Sequence, residues 1–322
     1  AEKWLESRVD IRPSTWWNYR GLLDNHVLPQ WGDVPVDAID AEDIRAWIAK
    51  LLKSDRGTGG ALGPSTVRQA YGVLAMVLDW CVPRRLNRNP ARGIKLPAVP
   101  EAEHVYLTYE QVEALADAAS GLTTKYSKPT AMSAVNRALI LLLSYTGMRW
   151  GEAAALRVRN VDLHKRRVRV AATTYEVRGG MSEGLPKSGK RRTVAIPASL
   201  VDELRPLITG RAGDERLFTT RRGNPLRIAN WRNREFTPAV RRSGIEVAGL
   251  TPHKLRHTAA SLAIAAGADV KVVQQMLGHA DAAMTLNVYG HLFPDRLDEV
   301  ASVLDAQRRE VLGAPGSDEA AA

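Results

Sequence analysis

The segment TLNVYGHLFP, residues 285–294, places one phenol, Tyr289, among polar neighbours rather than in an apolar stripe. Taken alone, a tyrosine there packs a helix edge. Upstream lie further groups whose types and spacing suit an anion. Arg149, in TGMRWGEAAAL (146–156), falls just after a Gly-terminated helix, where the next helix begins. Its guanidinium is expected beside helix N-terminal amides, a favourable place for a phosphate. In TPHKLRHTAASLAIAAG (251–267), Thr251 reads as an N-cap and Pro252 as the first helical residue. His253 and Arg256 are three apart, so they share a face of the first turn, opposite an apolar face of Leu255, Ala259, Leu262 and Ala266. Both are expected to project away from the core. His257 lies near that side and reads as structural or as a phosphate contact. A metal site at HKLRH is disfavoured, because no acidic or Cys partner is near. His279 follows Gly278, which ends a helix, and Tyr289 comes ten residues later. Lys187 and Lys190 share the loop PKSGK, where a lysine usually meets solvent.

The elements that must position these groups are mostly helical. Residues 14–32 start at Ser14 as N-cap and stop near Pro29 and Gly32. Residues 40–54 carry Ile44, Trp47, Ile48, Leu51 and Leu52 at helical spacing. A Gly-rich loop (57–63) leads to a helix over 64–86, with Val67, Ala70, Tyr71, Leu74 and Leu78 on one side. Six of the eight tryptophans precede residue 81, and most are expected to fill the core of a small helical bundle. NPARGIKLPAVPEAEH (89–104) has three prolines and no clear periodicity, which suits a linker. Helices then run over 107–120, where Thr108 and Gln111 form a capping box, and over 135–147, ended by Gly147. Between 156 and 197, RVRVAATTYEV and RRTVAIP alternate and are β-branched, so a small antiparallel sheet with a long hairpin loop is expected. Helices return over 228–309, and the tail 313–322 reads as disordered. The fold class is mainly α with a small antiparallel β-sheet. The expected domains are a helical domain at 1–92, a linker at 93–105 and an α+β domain at 106–312.

Length, charge and composition narrow the function. A chain of 322 residues is too long for one small core. The longest apolar run, ALILLL (138–143), is too short to span a membrane, and the N-terminus shows no signal-peptide pattern. The single Cys81 excludes an intrachain disulfide and fits a reducing cytoplasm. A net charge of +10 favours a polyanionic partner, nucleic acid above all. The charge is uneven. Residues 1–104 hold 14 Lys/Arg against 13 Asp/Glu, and residues 105–322 hold 31 against 22. Yet no acid occurs between Asp79 and Glu101, where Arg84, Arg85, Arg88, Arg92 and Lys95 all fall. A basic strip on a nearly neutral domain points to a directed, DNA-facing surface.

Taken in order, Arg149, hairpin Lys187, HKLRH at 253–257, LGH at 277–279 and TLNVYGH at 285–291 resemble the signature of the tyrosine recombinases, in particular phage-type integrases. That signature is an ordered Arg, Lys, His-x-x-Arg, His and Tyr. The likeness extends over roughly residues 1–305, with the N-terminal part similar to the family's core-binding domain. It implies that Tyr289 attacks a scissile phosphate to form a 3′-phosphotyrosine. It further implies that Arg149 and Arg256 clamp the non-bridging oxygens, that His279 hydrogen-bonds the phosphate, and that Lys187 (or Lys190) protonates the departing 5′ oxygen. His253 would assist as general base toward the tyrosine. No metal or other cofactor is required, since fixed cations supply the charge stabilisation. Strand exchange through a Holliday junction then needs no ATP. The implied partners are double-stranded DNA attachment sites clamped by the two domains, a homotetramer, a directionality factor and a DNA-bending host protein, in the cytoplasm of a bacterial host. In this family the segment after the tyrosine packs against a neighbouring protomer, and the helix over 296–312 is expected to do the same. The chain lacks a starting Met and shows no arm-binding domain before its core, so it is expected to be truncated or to lack that domain.

Rival readings stand beside this one. A type IB topoisomerase-like enzyme shares the chemistry, and cleavage at paired inverted sites separates the two. A Xer-type chromosome-dimer resolvase competes within the recombinases. A DNA-binding regulator with a decayed site is the alternative of another class, and the intact residue set argues against it.

Overall fold

The computed structural model describes residues 1–53, 61–100, 105–121, 131–177, 180–187, 189–294 and 297–312. The tail 313–322 and most of the loop 57–63 lie outside the described residues. The chain divides into two compact units: Ala1–His104 with Thr174–Glu183, and Val105–Thr173 with Gly184–Ala322.

The first unit holds α1 (Glu2–Glu6), α2 (Pro13–Leu22), α3 (Leu28–Trp31), α4 (Ala41–Lys53) and α5 (Pro64–Cys81). α2 opens on Pro13 with Arg12 as cap, so Ser14 lies inside the first turn and is not the N-cap. α2 and α3 are joined by a π-helical turn, Leu23–Val27. Pro29 explains it. Proline has no N–H and its ring crowds the carbonyl four residues back, so the ladder widens, and Leu28 N–H reaches five residues back to Leu23 O. The stripe on α4 is buried through Ile44, Trp47, Ile48 and Leu51 against Val67, Ala70, Leu74 and Leu78 of α5. Trp4, Trp31 and Trp47 are core residues, whereas Trp80 is 47% exposed. Past α5, the chain stays on this unit. Asn89 donates to Ala75 O (2.9 Å), Arg68 donates to Pro97 O (2.9 Å), and Ala91, Ile94 and Leu96 pack on the helical core.

The second unit begins with α6 (Tyr109–Ser120), α7 (Ala131–Thr146) and α8 (Trp150–Ala154). The Thr108–Gln111 capping box opens α6. Among the described residues, five strands follow: β1 (Val161–Asp162), β2 (Arg167–Val170), β3 (Thr173–Val177), β4 (Gly180–Gly184) and β5 (Arg192–Ala195). β1, β2 and β5 form one antiparallel sheet, with Val168 opposite Val194. β3 and β4 form a separate two-stranded sheet that groups with the first unit. Thr173–Val177, expected as part of the first strand, instead pairs with β4, which lies in the expected hairpin loop. The remaining helices are α9 (Ala198–Ile208), α10 (Ile228–Trp231), α11 (Thr237–Arg242), α12 (Lys254–Ala265), α13 (Val270–Leu277), α14 (Ala282–Tyr289) and α15 (Leu297–Leu312). A second π-helical turn, Arg232–Phe236, precedes Pro238 and repeats the device at Pro29.

α12 positions the chemistry. It starts at Lys254 with His253 as cap, because Lys254 N–H closes a tight turn onto Thr251 O (2.9 Å). The helix thus begins later than the Thr251–Pro252 reading. It is buried on two sides. Leu255 joins the main core with Leu139, Leu142 and Phe236, while Ala260 and Ile264 join a smaller cluster with Val273, Leu277 and Tyr289. Gly147 ends α7 at φ 63°, and a Cβ there would meet Leu277 Cδ2 at 2.5 Å, so α7 and α13 approach at a point only glycine permits. Among the described residues, no helix is long and apolar enough to cross a membrane.

Candidate active site

The site is built around a buried carboxylate, Glu152, in the short helix α8. Its residue is 2% exposed. Arg149 caps that helix, its N–H donating to Glu152 Oε2 (2.9 Å) and its Nη1 lying 3.2 Å from Oε1. Arg192 of β5 meets the same carboxylate with both terminal nitrogens, at 2.9 and 2.7 Å, while its Nε donates to Met276 O of α13 (3.1 Å). Burial alone would push the Glu152 carboxyl up; the bonds and charges of Arg192 and Arg149 overcome it and hold it below its ordinary value.

Arg256 is 4% exposed rather than projecting away from the core. Its position is set by helix ends. Nη1 donates to Gly147 O, at the end of α7, and Nη2 donates to Leu277 O (2.7 Å), at the end of α13. Helix C-termini carry unpaired carbonyls and partial negative charge, so both favour a cation. Burial, then the cation of Arg149, lowers its pKa to about 9, which leaves it charged at neutral pH. Its other N–H groups are not used by these two carbonyls.

His279 follows the left-handed Gly278 that ends α13 (φ 67°). Its Nδ1 lies 2.9 Å from the hydroxyl of Thr285, which is fully buried in α14. Burial and then Arg256, Arg149 and Arg192 push the imidazole down to about 4, so it is neutral at pH 7. In the tautomer in which Nδ1 accepts from the Thr285 hydroxyl, the ring proton is on Nε2 and can be donated to an anion. His253 caps the start of α12; partial desolvation of its ring, although the residue as a whole is exposed, and then Arg256 and Arg149 hold its pKa below its ordinary value.

Tyr289 does not lie in a polar setting. It ends α14, is 2% exposed, and packs with Ala260, Ile264, Val273 and Leu277. Polar residues flank it in sequence, but the packed partners come from α12 and α13. Its hydroxyl lies 2.9 Å from His257 Nδ1. Burial raises the phenol to about 12, against the lowering field of Arg256.

The structure therefore brings Arg149, His253, Arg256, His279 and Tyr289 into one electrostatic neighbourhood. Lys187 and Lys190 are both exposed on the turn closed by Gly189 N–H on Pro186 O (2.8 Å). Arg84, Arg85, Arg88, Arg92 and Lys95 are all exposed on the first unit. Arg92 is ion-paired to Asp79, so an acid just outside the strip in sequence partly offsets it in space.

Sequence reasoning missed Glu152, Arg192 and Thr285, and gave His257 only a supporting part. Some signals were present. Arg192 falls in step with core-facing Val194 on β5, and His257 falls in step with Ala260 and Ile264 on α12. Glu152 is the one charge between Arg149 and Arg157.

His279 makes stability depend on pH. The folded chain keeps it neutral down to about pH 4, whereas an unfolded chain protonates it near ~6.5. In that window the unfolded state binds more protons, so this contribution is whole above pH ~6.5 and is lost as pH falls. His279→Gln is expected to show a smaller difference in unfolding free energy between pH 7 and pH 5 than the parent, measured by urea titration at both.

The comparisons with known proteins converge. The profile of the Phage integrase family matches residues 105–296, and that of the phage integrase N-terminal SAM-like domain matches residues 1–52. Tyrosine recombinase XerC of Alcanivorax borkumensis is 30% identical over 313 residues, 95% of this chain and 93% of the relative. A protein described as the prophage phiRv2 integrase of Mycobacterium tuberculosis is 29% identical over 315 residues, 94% of this chain and 76% of its own length. In fold, the chain is similar to the Tn1549 transposon integrase in complex with a circular intermediate DNA, with TM-score 0.75 and 19% identity over 95% of this chain and 97% of that one. It is also similar to a lambda integrase dimer bound to a core site, with TM-score 0.63 and 19% identity over 88% and 96%. The chain belongs to the phage integrase family of tyrosine recombinases, enzymes of site-specific DNA recombination.

Proposed function

We propose that this chain cuts and rejoins DNA at paired attachment sites through a covalent bond from Tyr289 to a 3′ phosphate. The observation that carries this is that the guanidiniums of Arg149 and Arg256, the imidazoles of His253 and His279 and the phenol of Tyr289 lie within one electrostatic neighbourhood. A dianionic, five-coordinate phosphorane needs charge stabilisation that is fixed before reaction. Two guanidiniums held by a carboxylate and by helix ends provide it. Neutral His279 adds a hydrogen bond. Lys187, on its exposed turn, protonates the departing 5′ oxygen. The phenol's proton leaves to a base on α12, where His253 and His257 are the two imidazoles. Because the phosphotyrosine conserves the bond, a 5′ hydroxyl from a second duplex reverses the step and exchanges strands through a Holliday junction.

Arg84, Arg85, Arg88 and Lys95, with Arg92 weakened by Asp79, add phosphate contacts from the first unit. The full-length likeness to XerC favours a second reading, a resolvase of chromosome dimers. The two part on substrate: an integrase joins two unlike sites, whereas a resolvase recombines two copies of one site on a supercoiled plasmid.

α15 supports assembly. All its described residues are exposed, including Leu297, Val300, Val303, Leu304, Val311 and Leu312. Among the described residues, Val300, Leu304 and Val311 recur at helical spacing as an exposed apolar stripe and belong to none of the hydrophobic core clusters. This supports a tetramer on DNA in which α15 packs on a neighbouring protomer.

Two outcomes check this reading. On nicked duplexes carrying a selected core site, the parent chain is expected to give a covalent protein–DNA band on a denaturing gel, and Tyr289→Phe none; a band that survives Tyr289→Phe contradicts the assignment. Deleting residues 295–322 is expected to leave single-site binding intact and to abolish pairing of two sites in a mobility-shift assay; intact pairing and recombination would refute the tetramer contact.

A further inference from the structure

Resting on the recombinase reading, we infer that Arg192, which stands outside the ordered set of site residues, is a positioning residue that holds the end of α13 so that His279 meets the phosphate. Its described bonds all go to protein acceptors. Both terminal nitrogens donate to Glu152, at 2.9 and 2.7 Å, and Nε donates to Met276 O at 3.1 Å. The side chain is 11% exposed. An arginine whose three nitrogens bond protein acceptors orders those acceptors rather than an outside anion.

The sheet supplies the fixed end. Arg192 opens β5 and pairs with Val170 of β2. Strand alternation puts its side chain on the same face as Val194, which is 2% exposed, so the guanidinium enters the interior. There it meets the last turn of α13, whose final carbonyls have no N–H partner within the helix. Two of them are taken by arginines. Leu277 O accepts from Arg256, a member of the ordered set, and Met276 O accepts from Arg192, which is not. Gly278 closes the fit. It is left-handed at φ 67°, and a Cβ on it would lie 2.9 Å from Arg192 Cδ and 3.0 Å from Nε. Its N–H donates to Gln274 O at 2.9 Å, and the N–H of His279 donates to the same carbonyl at 3.1 Å. His279 is thus the first residue beyond a closed helix end.

The imidazole is therefore oriented from two directions. Its ring lies 2.9 Å from the buried hydroxyl of Thr285, and its backbone leaves the turn that Arg192 clasps. Glu152 stiffens the clasp, because the same carboxylate accepts from the backbone N–H of Arg149 (2.9 Å). A hydrogen bond aimed at a transition state tolerates little displacement, and an error of about 1 Å can cost roughly a hundred-fold in rate. Arg192 acts on the reaction only through the groups it holds.

Arg192→Lys tests this without leaving Glu152 facing a neutral side chain. Lysine keeps the charge but is a point donor, without the planar fork that spans two carboxylate oxygens and Met276 O. The full chain is used, with nicked duplexes bearing a core site chosen from random DNA by its binding to Tyr289→Phe. Arg192→Lys is expected to bind that site as the parent does and to form the covalent adduct about ten- to a hundred-fold more slowly in single turnover. The deciding measurement is made on His279→Gln. An Arg192 that acts through His279 has little left to lose there, so adding Arg192→Lys is expected to slow that chain by no more than about twofold. A change acting on the fold or on Arg149 would instead multiply the two losses. The same cycle is run on a Glu152→Gln chain, where Arg192→Gln leaves no buried carboxylate behind, so a variant that fails to fold does not remove the test. Three results overturn the inference: a parent-like rate in Arg192→Lys, losses that multiply in the His279→Gln background, or DNA binding that falls in step with the rate. A parent chain that gives no adduct removes the recombinase mechanism itself, and this inference with it.

Discussion

Burying a carboxylate without partners costs several kcal/mol or forces it to take up a proton. Glu152 is 2% exposed and still held as an anion, because Arg192 grips both its oxygens and Arg149 bonds it from the turn before. The dependence runs in both directions. Arg149 and Arg256 depress the ionisation of both His253 and His279, and Arg192 adds to the effect on His279. One interior negative charge makes that density of cations tolerable. It also fixes geometry. Through Nε, Arg192 reaches Met276 O, and its side chain packs so closely on Gly278 that a Cβ there would lie 2.9 Å from it. The carboxylate that orients Arg149 thus also sets the end of α13, from which His279 projects.

The second fixed point is Arg256. Its two carbonyl acceptors belong to helix ends that glycines terminate in the left-handed region, Gly147 and Gly278. Helix ends are placed by the packing of whole helices, so the guanidinium inherits the rigidity of α7 and α13. Preorganisation of this kind is what a charged transition state requires, since donors that must reorient during reaction stabilise it less. Tyr289 is handled differently. It is packed among small and branched apolar residues, and its hydroxyl alone meets a polar atom.

What the sequence made legible was local. The stripe on α4, the capping box at Thr108 and Gln111, and the glycine stops at 147 and 278 rest on spacing or backbone conformation within a few residues. The set of site residues was legible as an ordered motif. Their burial was not. Periodicity placed His253 and Arg256 on one outward face, yet Arg256 is drawn inside by carbonyls 109 and 21 residues away. The Glu152–Arg192 pair spans 40 residues between a helix and a strand, and no local pattern announces it. β4 was hidden because glycine and charge dominate its five residues, and its partner β3 read as a continuation of β2. Tyr289 read as polar because its flanking residues are polar, while the residues that bury it come from α12 and α13.

The central claim is that one buried ion pair organises the site, and a double-mutant cycle tests it directly. Glu152→Gln, Arg192→Gln and the double variant would be unfolded in urea alongside the parent. The account expects each single change to destabilise strongly and the double change to be much less than their sum, with a coupling of roughly 2 kcal/mol or more. Additivity within about 0.5 kcal/mol would contradict it, and would mean that the two arms of the site are positioned independently.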